Sequence, residues 1–152
     1  MVAEVVGVRK ALWRPVFATA AVVLLAVSAG QGAPSADAPQ PTQATVRDRG
    51  AGAVTVTATW LGVQEERLAV RLALDTHSVD LSGFDVLANT VLRDGSGQEL
   101  RAVRWQEERA SSHHRTGIVF FPFPKSLQPR LAVGVRNLAG VEERVLVFEF
   151  RR

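Results

Sequence analysis

From residue 53 onward the chain is written in short stretches that alternate apolar and polar residues with a period of two, broken by turn-forming residues about every ten positions. That texture excludes most helical plans, because a helix needs its apolar residues three and four apart. Val54, Val56, Ala58 and Trp60 alternate with three threonines over Val54 to Leu61. Over Arg67 to Leu74, Leu68, Val70, Leu72 and Leu74 fall on one face and Ala69, Arg71 and Ala73 on the other. Five more strands are predicted at 84–92, 98–105, 117–123, 130–136 and 143–150. Asp94-Gly95-Ser96-Gly97 joins the third to the fourth, its glycines supplying the positive φ that a tight hairpin needs. Asn137-Leu138-Ala139-Gly140 turns the sixth into the seventh. Seven short strands without an intervening helix pattern predict an all-β, immunoglobulin-like Greek-key sandwich, with a cupredoxin-like or other small barrel as the competing plan. Trp60 and Trp105 are expected in its core.

The domain, residues 53–152, is preceded by two segments of different character. Residues 1–29 carry Arg9, Lys10 and Arg14, then an uncharged run from Pro15 containing Val22, Val23, Leu24 and Leu25, and end in the small residues Ser28 and Ala29. This is the layout of a signal peptide, with cleavage after Ala29, or of a signal-anchor helix if residues 15–33 remain in the membrane. The expected location is therefore periplasmic or extracellular, with membrane contact only through this segment. Residues 30–52 are rich in Gly, Ala, Pro, Ser and Gln and read as a flexible linker.

Charge follows the same division. The net charge of +3 is concentrated in the leader, where only Glu4 opposes three basic residues, and the rest of the chain is nearly balanced. Its arginines stand singly or beside acids, as in Glu65-Glu66-Arg67, so the basic stripe required for nucleic-acid binding is missing. The absence of cysteine excludes disulfides, thiolate metal sites and cysteine nucleophiles, so packing alone must hold the domain together.

Chemistry centres on three histidines between strands: His77 in Asp75-Thr76-His77-Ser78-Val79-Asp80, and His113 and His114 after Ser111-Ser112. If successive strands run antiparallel, the turns after the second and fourth strands emerge at one end, so His77 can meet His113 or His114. Adjacent residues in an extended chain point to opposite sides, so only one of that pair faces such a site. Neutral imidazole is a common ligand of copper(II) and zinc, and the candidate metal ligands are His77, His113, His114 and Asp75. Asp80, Glu107 and Glu108 are available to complete or orient the ligand set. No nucleophile elbow, phosphate-cradling glycine loop or spaced carboxylate pair is present, and no enzymatic activity is expected. A second reading is an adaptor module that binds another envelope protein through an apolar edge at Phe120, Phe121 and Phe123, although two of these rings are expected in the core.

Ala73 to Leu81 (ALDTHSVDL), Leu92 to Asp94, His113 to Arg115 and Val141 to Val145 together resemble segments of uncharacterised bacterial exported β-sandwich domains. The resemblance covers most of residues 54–150. It implies companions of heavy-metal or copper-handling proteins. With Met1 the only sulfur-bearing side chain, the chain offers nothing that selects copper(I), which leaves copper(II) or zinc.

Overall fold

A computed structural model of the chain describes residues 39–50, 52–124 and 128–151. The signal or anchor segment at 1–29 and the first part of the expected linker lie outside the described residues. Within them, nine strands follow one another: β1 (Thr45–Asp48), β2 (Val54–Gln64), β3 (Arg67–Thr76), β4 (Thr90–Asp94), β5 (Glu99–Arg101), β6 (Arg104–Ala110), β7 (His114–Pro122), β8 (Arg130–Leu138) and β9 (Val141–Glu149). No described residue is helical, and none belongs to a helix long and apolar enough to cross a membrane.

The strands form two antiparallel sheets, ordered β1-β2-β3-β7-β6 and β5-β4-β8-β9, in the manner of a β-sandwich. The predicted alternation places the core. Val54, Val56, Ala58 and Trp60 of β2 and Leu68, Val70, Leu72 and Leu74 of β3 are buried against Leu131, Val133 and Val135 of β8 and Leu146 and Phe148 of β9. Trp60 meets Phe148 and Phe150 with ring centroids 5.9 and 5.2 Å apart. Trp105 lies at the core's margin, partly buried.

Besides shifted ends, such as β7 starting at His114 instead of Gly117, three local features depart from the expected strands. The third does not begin at Phe84, because Asp85 captures the chain first: its Oδ1 accepts from Ala88 N at 3.0 Å, and its carbonyl accepts from Asn89 N and Nδ2. A short polar side chain thus diverts backbone donors from a ladder, and the strand starts only at Thr90. The expected fourth strand divides in two. Ala102 N donates to Thr90 O and Val103 N to Phe120 O, so the chain leaves one sheet and enters the other between adjacent residues. Finally, the stretch read as a linker contributes β1, which pairs with β2, while Pro41 bridges Phe150, the residue after β9.

The hairpins show how local chemistry sets the register. Asp94 Oδ1 accepts from Ser96 N and Gln98 N, both at 2.9 Å, and Gly97 takes φ +86°. Between β2 and β3 the two-residue loop is Glu65-Glu66, with φ 49° and 59°, a type I′ geometry built without the usual Asn-Gly. On β7, Gly117 lies beneath the Trp105 ring: a Cβ there would sit 2.6 Å from Trp105 Cη2 and collide with Gln106 O.

Candidate functional site

β3 and β7 are neighbours, and their antiparallel register sets Asp75 opposite His114. Thr76 N donates to His113 O, which makes Asp75 and His114 a non-hydrogen-bonded pair, the arrangement in which facing side chains stand closest. His114 Nδ1 lies 3.0 Å from Asp75 Oδ1. His77, two residues beyond Asp75, places its ring edge-on to His114, centroids 6.5 Å apart and planes at 82°. His77 and His114 thus meet, but not as two turn residues as expected: His114 is the first residue of β7, which pairs with β3, and His77 follows the end of β3.

His113 is directed elsewhere, its Nδ1 3.2 Å from Val79 O. This matches the opposite facing expected of adjacent residues and removes His113 from the cluster. Asp80, Glu107 and Glu108 are each taken up by bonds to other side chains, Glu108 although it lines the same cleft as Asp75 and His114. Asp80 Oδ1 accepts from Ser82 Oγ and Ser82 N, which hold its carboxyl below the ordinary aspartate value. Glu107 accepts from Arg115 Nε at 2.7 Å. Glu108 receives both Nε and Nη2 of Arg71, at 3.0 and 2.8 Å. Among the described residues, no group of three or more histidine, aspartate or glutamate side chains is placed to hold a metal ion.

What remains is a pair of imidazoles backed by one carboxylate. The carboxylate can only accept, so His114 Nδ1 carries the hydrogen and the Nε2 lone pair of the neutral ring is available to a ligand. Both side chains are accessible, with His114 50% and Asp75 49% exposed. Beside them opens a surface cleft of about 310 Å³, lined by Asp75, Glu108, Arg109, His114 and Thr116. Arg109 and Thr116 were not legible as site residues, because their place depends on the β6–β7 register and its bulge between Glu107 and Arg109.

Behind the site stands Arg115, 9% exposed, on the core side of β7. Its Nη1 donates to Leu81 O and Phe84 O while Nε binds Glu107, so one guanidinium ties the segment after His77 to β7. Ser111 closes the β6–β7 turn, its Oγ accepting from His114 N at 2.9 Å. At the other end of β7, Phe121 is in the core and Phe120 is covered by the Arg104 guanidinium at 3.8 Å, while Phe123 is 46% exposed. The apolar edge considered for an adaptor is thereby reduced to one ring.

No family model, no curated protein and no solved structure matches the chain.

Proposed function

We propose that this chain is an exported, non-enzymatic binding domain of immunoglobulin-like topology that takes copper(II) or zinc at His77 and His114, with Asp75 orienting His114. The observation that carries the proposal is the approach of the two rings to 6.5 Å with the Asp75 carboxylate on the Nδ1 of one of them. A carboxylate behind a ligating imidazole fixes the ring's tautomer and aim, as in many metal sites. The topology is supported by the orders β2-β3-β7-β6 and β5-β4-β8-β9, which follow the ABED and C′CFG arrangement of immunoglobulin-like sandwiches. Export is supported by the basic, apolar and small-residue succession of residues 1–29.

Calorimetric titration of the full chain with copper(II) and with zinc at neutral pH tests the function. The expected result is micromolar or tighter binding, lost in His77→Ala and in His114→Ala and retained in His113→Ala. Absence of binding, or binding that survives both of the first two substitutions, would overturn it. An adaptor role would then lead, resting on the exposed Phe123 and the outer edge of β6, which is unpaired among the described residues.

A further inference from the structure

Two imidazoles are half of a closed zinc shell, since zinc in stable protein sites takes four ligands in a tetrahedron. The remaining donors near His77 and His114 are committed elsewhere. Asp75 is bound to His114 Nδ1, Glu108 to Arg71, Glu107 to Arg115 and Asp80 to Ser82, and His113 faces Val79. Among the described residues, no third or fourth histidine or carboxylate side chain is therefore placed to complete the shell. The two imidazoles nevertheless stand at an exposed end of the β3–β7 pair, where nothing among the described residues covers them.

We infer that zinc joins two copies of this chain, the His77 and His114 imidazoles of each supplying two of four ligands around one ion. The inference rests on the proposed metal function and names its partner, a second copy. A two-fold axis through the ion presents the same surface from both sides, as symmetric dimers do. That surface carries both signs of charge: Asp75 and Glu108 line the cleft with Arg109, and Arg71 is paired to Glu108. Two copies can therefore approach with acidic groups against basic ones instead of repelling. The exposure of both histidine residues leaves room for the approach without opening the core.

The test is sedimentation of the full chain with and without zinc chloride, combined with titration for stoichiometry. The expected result is a doubling of the 16.4 kDa mass at one zinc per two chains, reversed by EDTA. His77→Ala and His114→Ala each abolish the doubling, while His113→Ala preserves it; all three positions are exposed, and circular dichroism checks that each variant folds. Cobalt(II) in place of zinc is expected to give the intense visible absorption of a four-coordinate ion. Zinc bound one per chain with no change in mass would overturn the dimer and leave the metal function standing. A doubling that survives His77→Ala or His114→Ala would also overturn the shared site. No zinc binding at all would overturn the shared site and leave the metal function to the copper(II) titration alone.

Discussion

Asp75 and His114 belong to segments separated by 39 positions in the chain, yet they form a cross-strand pair with Oδ1 and Nδ1 3.0 Å apart. The contact gives His114 its orientation, so its removal has a predictable cost. Asp75→Asn keeps the shape of the side chain but removes the charge that favours the Nδ1–H tautomer. Copper(II) or zinc affinity is expected to fall by roughly 10- to 100-fold, the range for loss of a group that orients a ligand. Titration calorimetry of Asp75→Asn beside the parent chain measures it; an unchanged affinity would mean that Asp75 does not orient the ligand.

Glu66 holds φ 59° in the β2–β3 turn, a left-handed conformation that a side chain with a Cβ adopts at a cost. Replacing it by glycine removes the strain, and no ion pair involving Glu66 is seen among the described residues. Glu66→Gly is expected to stabilise the fold by about 0.5–1 kcal/mol, against the usual penalty of glycine in a strand. Urea unfolding read by tryptophan fluorescence checks the sign.

Gly117→Ala is expected to act in the opposite direction. The new methyl group meets Gln106 O and the Trp105 ring at once, and a backbone carbonyl cannot swing aside as a flexible side chain does. The cost is expected to be about 1–3 kcal/mol, as for other overpacked positions. A changed Trp105 emission spectrum should accompany the lower unfolding midpoint.

Arg115→Met removes a buried guanidinium that serves Leu81 O, Phe84 O and Glu107. The two carbonyls lose their donor, and the expected loss is about 2–3 kcal/mol, discounted because Glu107 is partly exposed. Hydrogen exchange should show faster opening of the 77–89 segment than of β2 or β8. Uniform destabilisation without that local effect would contradict the role given to Arg115.

On the outer face of the second sheet, Arg93 donates to Glu143 at 2.6 and 3.0 Å, and Arg136 binds both Glu143 and Glu99. The Arg93 hydrogen bonds hold Glu143 below its ordinary value of 4.5, with Arg136 adding to them, and Arg136 does the same chiefly for Glu99. A depressed folded-state value means that the unfolded chain takes up protons first. The stabilisation is therefore complete above the ordinary glutamate value and is lost as pH falls through it toward the folded-state value. The urea midpoint of the parent is expected to drop between about pH 5 and pH 3, and that of Glu143→Gln to drop less over the same interval. Parallel curves for the two would remove this network as the cause.

Much of the architecture was legible because it is local. The period of two in β2 and β3, the Asp94 turn and the Ala139-Gly140 turn each depend on neighbouring residues, and an alternating strand can bury only one face. The opposite facing of His113 and His114 followed from the same geometry. The Asp85 turn was less legible, since Phe84 and Val86 imitate strand alternation until the Asp85 carboxylate takes up the backbone donors.

The sequence by itself determined the all-β class, the inward faces of β2 and β3, and the presence of histidines in two segments next to predicted strands. Tertiary structure alone decided which histidines meet. That outcome depends on β7 pairing with β3, and such a choice of neighbour is settled by the summed burial of both sheets and the sheet switch at Ala102 and Val103. The fates of Asp80, Glu107 and Glu108 were decided in the same way. Each carboxylate is taken by the donor that the finished fold sets beside it: Ser82, Arg115 and Arg71. A carboxylate's partner is a property of distances in space, and the one-dimensional pattern carries those distances only within a few residues.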